Sequence, residues 1–141
     1  MMTEATIKES KLHDLTHFGI RAVIGAIFIF HGSGKFDPGF QGFLIHFALP
    51  TELHILIALA ETIGGIMLIA GVLTRMASAI ISIILLGAIF YIKGLDKFSG
   101  GSFTGWEFDV VMLAGVLATI VSGPGRVSIS HIVKKIPRFL Q

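Results

Sequence analysis

The sequence predicts an all-α integral membrane protein: a four-helix bundle with N- and C-termini cytoplasmic. A short interfacial or re-entrant helix is expected between helices 1 and 2. Three observations carry this. The 141 residues are 53% hydrophobic and only 14% charged, where a soluble domain carries about 25% charged residues. A soluble chain this short leaves much of its surface wet and cannot hide so much apolar area. The apolar residues also fall into four long runs, and positive charge collects on alternate connections between them.

The runs are helices because lipid offers the backbone no partners, so each segment must satisfy its own hydrogen bonds. About 20 residues cross about 30 Å of hydrocarbon. The first run is Phe18 to Phe30, extended to Phe36 if His31 and Lys35 lie inside the bundle. The second is Leu53 to Leu73, broken by one charge, Glu61. The third, Met76 to Ile92, carries no charge. The fourth, Val110 to Val121, is short unless Trp106 to Asp109 belong to it.

Three parts follow along the chain. Residues 1–17 form a polar, mixed-charge cytoplasmic lead. A cleaved signal peptide is the rival for this end, but the lead carries acids and no A-x-A site follows the run, so it is expected uncleaved. Residues 18–130 form the four-span domain. Residues 131–141 form a basic amphipathic tail, with Ile132, Val133, Ile136 and Leu140 against Lys134, Lys135 and Arg138. Such a segment lies on the inner leaflet.

Orientation follows the lysines and arginines. The lead, the second loop and the tail hold Lys8, Lys11, Arg75, Arg126, Lys134, Lys135 and Arg138. The first and third loops hold Lys93 and Lys97, with Lys35 at the helix edge. In the first loop Phe36, Phe40, Phe43 and Phe47 recur at helical spacing. They mark either an anchored loop or a lid over a pocket.

Ionisable groups inside a span are costly, about 2.5–3.5 kcal/mol each at the helix centre. They tend to face inward and to have partners. Arg21, Gly25, Phe28, Gly32 and Lys35 share a face of the first span, and His31 borders it. His54, Ala58, Glu61, Gly65 and Leu68 share a face of the second. Glu61 lies nine residues past Glu52, about 13 Å down the helix. A basic face opposite an acidic one predicts that these helices pack together. Arg21, His31 and Lys35 are the candidate partners of Glu61. The pair either fixes helix register or forms part of a polar pocket near the outer half, and Glu61 could also stand protonated and unpaired. Trp106, Glu107 and Asp109 open the fourth run; the acids suit the positive end of the helix dipole, and one of them can face the bundle.

The candidate ligand-binding set is therefore Arg21, His31, Lys35, His54, Glu61, Trp106, Glu107 and Asp109. No catalytic residue is assigned. There are no cysteines, which excludes disulfides, thiolate metal sites and dithiol chemistry carried by this chain. His54 and Glu61 are seven residues apart, about 10 Å, too far for one ion, so no metal is expected. No nucleic-acid partner is expected either. The third run is rich in small residues, which suits a helix–helix or subunit contact.

Arg21, Gly32-Ser-Gly34-Lys35, Pro50, Glu61-Thr-Ile-Gly64-Gly65, Gly71-Val-Leu-Thr74-Arg75 and Gly123-Pro-Gly125-Arg-Val-Ser128-Ile occur in this order. In this the chain resembles the DoxX/DoxD-like family of small four-helix membrane proteins, from about Gly19 to Ser130. The family often has Asp where this chain has Ser130. The resemblance implies a multi-pass protein of the cell membrane in respiratory or redox surroundings. It implies larger complex subunits as partners and a quinone as ligand, with no covalently bound cofactor. On that footing the expected role is an accessory subunit of a membrane redox complex that contributes to a quinone pocket. The alternative is an independent binder or transporter of a small molecule or lipid, built around Glu61, for which a homo-oligomer is the expected form.

Overall fold

The computed structural model describes residues 10–96, 98–99, 105–133, 135, 137 and 139–141. The lead before Ser10, part of the third loop, and Lys134, Ile136 and Arg138 of the tail lie outside the described residues. The described residues are helical, without strands. The helices are α1 (Lys11–Gly34), α2 (Gly39–His46), α3 (Leu53–Ala70), α4 (Thr74–Gly87), α5 (Glu107–Ser122) and α6 (Ile129–Ile132). A π-helical segment, Ala88–Lys93, prolongs α4. Three helices are long and apolar enough to cross a membrane: α1, α3 and α4 with its π extension.

Local chemistry sets the ends. Ser10 caps α1, its side chain accepting from the His13 amide at 3.2 Å. This starts the helix at Lys11, ahead of the apolar run that begins at Phe18. Asp37 caps the start of α2 by accepting from the Gly39 amide at 2.7 Å. Gly71, with φ 70°, ends α3 in the left-handed conformation that costs glycine least.

The helices α1, α3, α4 and α5 close a ring in which α1 packs on α3, α3 on α4, α4 on α5 and α5 on α1, while α2 rests on α3. Ile24, Phe28, Leu68, Ala77, Ile81, Leu85, Met112 and Val116 fill the centre. Phe30, Ile83, Val111 and Val121 point outward, 69–80% exposed. An apolar core wrapped in an apolar exterior is the pattern of a bundle in lipid.

The α1–α3 seam is close. A Cβ added at Gly25 would stand 2.5 Å from the Gly65 carbonyl oxygen, and one at Gly65 would stand 2.5 Å from that of Gly25. One at Gly32 would meet the Thr62 amide nitrogen at 2.7 Å. These three positions are backbone against backbone, so nothing flexible can yield.

At the end of the bundle holding α6, Arg21 joins three segments. It is fully buried. Nη1 donates to the Leu68 carbonyl at 2.7 Å and Nη2 to the Val127 carbonyl at 2.5 Å. The Leu68 carbonyl belongs to the last turn of α3, where the helix dipole is negative and suits a cation. Beside it the Ser130 amide donates to the Gly71 carbonyl at 3.2 Å. Arg126 and Asp14 pair nearby, at 3.1 Å.

Gly65→Leu is expected to destabilise the bundle by about 1–3 kcal/mol through overpacking. Gly19→Ala, which meets nothing within 4 Å, is the control. Thermal unfolding in detergent compares them. Arg21→Met is expected to cost more than about 2 kcal/mol, since two buried carbonyls lose a charged donor; the same melt reads it.

Candidate functional site

The second end of α1 carries the site. The helix finishes at Gly34, and the Lys35 amide closes its last turn on the Gly32 and Ser33 carbonyls. This turns the Lys35 side chain toward α3. Its ammonium donates to both Oε1 and Oε2 of Glu61, each at 2.5 Å. Glu61 is only 2% exposed. The ammonium also lies 5.6 Å from the centre of the Phe40 ring on α2, a cation–π distance.

A second pair faces the same space. The Lys93 ammonium lies 2.5 Å from Asp109 Oδ2 and donates to the Gly105 carbonyl at 3.0 Å. Lys93 ends the π-helical segment, and Asp109 stands in the first turn of α5. The register depends on the π geometry. In an α-helix Lys93 would sit about 140° round from Ala88, at about 100° per residue. Hydrogen bonding from i to i+5 brings the two to one side. Ala88, Tyr91 and Ile92 share a face at ordinary helical spacing, and the π turn brings Lys93 to the same wall.

Between the two pairs lies a cavity of about 590 Å³. Apart from His31, its remaining walls are mainly apolar, with Phe28 from α1, Ile57 from α3, Leu85 from α4 and Met112 from α5. Phe40, Phe43 and Leu44 of α2 cover it. Phe40 and Phe43 stack at 5.3 Å, and Leu44 is 1% exposed. The Tyr91 hydroxyl donates to the Phe47 carbonyl at 3.0 Å, tying the end of this cover to the π segment. The volume falls in the range of small-molecule sites, which join apolar walls to a few placed polar groups.

Of the residues singled out from sequence, His31, Lys35, Glu61 and Asp109 line this cavity. Arg21 does not join them: it lies fourteen residues away along α1, about 21 Å, in its own carbonyl cage. His54 Nδ1 stands 3.3 Å from Gln41 Nε2 and 3.1 Å from the Thr51 carbonyl, beneath α2. Trp106 meets Phe98 edge to face at 4.7 Å. Glu107 is exposed and accepts from Ser99 at 3.0 Å. Sequence reasoning passed over Lys93 and Tyr91. The available signal was a lysine ending an uncharged run, with an acid opening the next. Among the described residues no three His, Asp or Glu side chains gather as a metal site.

The geometry can hold an uncharged ligand at both ends. Each pair offers an ammonium as donor and a carboxylate as acceptor, and each pair is neutral as a whole. Neutral pairing is also what allows four charged groups in an apolar interior.

These features define the class: a helical bundle of membrane type with a doubly charged cavity. The chain belongs to the DoxX family, whose profile matches residues 17–94. That span holds α1 to the π segment, and so Lys35, Glu61 and Lys93, but not Asp109. The chain is similar to a Bacillus subtilis (strain 168) protein named "Putative oxidoreductase CatD". The two are 32% identical over 107 residues, which is 74% of this chain and 76% of that protein. No solved structure matches the chain. Family and helices together make this a DoxX-type membrane protein.

Breaking one ion pair is expected to cost more than losing both members. Lys35→Met alone leaves the buried Glu61 carboxylate unpaired, an effect of about 3–5 kcal/mol. Lys35→Met combined with Glu61→Leu is expected to recover at least half of that loss. Unfolding of the two variants in detergent measures the coupling.

Proposed function

We propose that this protein is a four-span membrane component of a redox assembly and that its cavity binds a quinone or quinol. The carrying observation is the pair of Lys–carboxylate contacts on one apolar cavity. A quinone presents carbonyl oxygens that accept hydrogen bonds; its quinol presents hydroxyls that donate. A Lys–carboxylate pair answers both forms, the ammonium meeting the carbonyl and the carboxylate meeting the hydroxyl. Two such pairs, Lys35–Glu61 and Lys93–Asp109, serve the two oxygens of one ring. They are also groups able to exchange the two protons that separate the two forms.

In this reading α5 is the fourth span. Its 16 residues reach about 24 Å, and Trp106 at its head anchors it in the interface. Both termini are cytoplasmic, following the basic residues. Arg21 then marks the inner end, and the cavity lies in the outer half. The electrons come from, or go to, partner subunits. The absence of cysteine leaves the chain without a dithiol, and the redox name of its relative supports such surroundings.

Two measurements test this. Purification in gentle detergent, followed by mass spectrometry, is expected to find oxidoreductase subunits in stoichiometric amount. A homogeneous homo-oligomer carrying only lipid would overturn the subunit role. Equilibrium binding of a quinone to the purified protein is expected to weaken at least tenfold in Lys35→Met, about 1.4 kcal/mol. Unchanged affinity in that variant would remove the cavity from consideration as the quinone site.

A further inference from the structure

Gly87 holds an unusual position in the cavity wall. It is the last residue of α4 before the π segment. It lines the cavity and is itself exposed. A Cβ added there would meet nothing within 4 Å. Gly25, Gly32 and Gly65 are explained by close backbone approach, whereas Gly87 lines the cavity and approaches nothing. Its absent side chain leaves a gap instead of a contact.

The surroundings of the gap are apolar and lipid-facing. Ile83, Leu86 and Phe90 beside Gly87 on the helix are all exposed. Inside, the cavity continues past it along Ile57, Ile84, Ala88 and Tyr91. None of these except the Tyr91 hydroxyl carries a polar side-chain atom, and that hydroxyl is already engaged by the Phe47 carbonyl. The two ion pairs and His31 thus make up the polar part of the site, and at Gly87 its apolar wall carries no side chain.

We infer that the ligand is an amphiphile whose ring lies between the ion pairs and whose long apolar tail leaves the bundle through a slot at Gly87. This rests on the quinone reading and narrows it to lipid-soluble, tailed quinones. Gly87 is then the residue that selects for a tail. A water-soluble, tail-less quinone needs no such opening: the cavity could be closed there by any apolar side chain at no cost to the ring contacts. An exit within the apolar belt also lets the tail stay in hydrocarbon while the ring binds, so the tail contributes no desolvation penalty of its own.

The test compares two probes that share a headgroup, menadione and its isoprenoid-tailed homologue menaquinone, on the full-length protein in lipid nanodiscs. A benzoquinone headgroup with and without a decyl chain gives the second pair. Gly87→Leu and Gly87→Trp place a side chain in the slot, in space that is open, so the fold is expected to hold; thermal unfolding checks this. The expected result is at least a tenfold loss of affinity for the tailed probes in both variants, with the tail-less probes held within twofold of wild type. Equal affinities for tailed probes in wild type and both variants would overturn the slot while leaving the quinone reading standing. Wild-type protein that binds the tail-less probes and rejects the tailed ones would also overturn it. Wild-type protein that binds none of the four would overturn the quinone reading itself, and the slot with it.

Discussion

The α1–α3 seam is the constraint on which the rest of this structure depends. Gly25 and Gly65 meet backbone to backbone, and Gly32 meets Thr62 a little further along. In lipid no hydrophobic force separates helix contact from lipid contact, so close packing and polar contacts must hold helices together. The glycine crossing supplies the packing. It also sets the register in which Lys35 reaches Glu61. A shift of one residue would rotate Glu61 by about 100°, away from the cavity and toward the apolar exterior.

The charged groups of the bundle are handled in two ways. Arg21 has backbone carbonyls as partners, at the end of α3 where the dipole favours a cation. It ties α1 to the last turn of α3 and to the segment after α5. That role is structural, and it explains why Gly71 must lack a side chain: a Cβ there would run into Ser128 and the Arg21 guanidinium. At the other end the lysines have carboxylates as partners, and both pairs face an open space. A buried ion pair is a poor stabiliser compared with apolar packing. Two of them around one cavity therefore speak for a ligand more than for stability.

The π-helical segment connects these halves. It lets α4 pack on α5 along its α-helical length and still turn Lys93 toward Asp109. Wide turns of this kind are frequent at functional sites. Here the same segment supplies Tyr91, which holds the end of the α2 cover, and follows directly on Gly87. The tie to the cover, the lysine of one ion pair and the bare wall at Gly87 thus come from one stretch of seven residues, Gly87 to Lys93.

The sequence by itself determined the helical class, the membrane character and the closeness of the first two long helices. Composition and run length decide the first two, because lipid admits few alternatives. The glycine and charge spacing on α1 and α3 decides the third, because both helices are regular and 100° per residue can be counted. Counting brought Lys35 and Glu61 to facing sides, yet it could not choose Lys35 over Arg21, since both lie on one face; only the direction and depth of packing separates them by about 21 Å. Lys93 was beyond reach for a different reason. Its place depends on a π turn, and no periodicity assumed in advance contains one. Asp109 could be a cap or a cavity group until α5 was set against α4. The cavity and its two ion pairs were decided by tertiary structure alone, because they are made where several elements fail to fill the space between them.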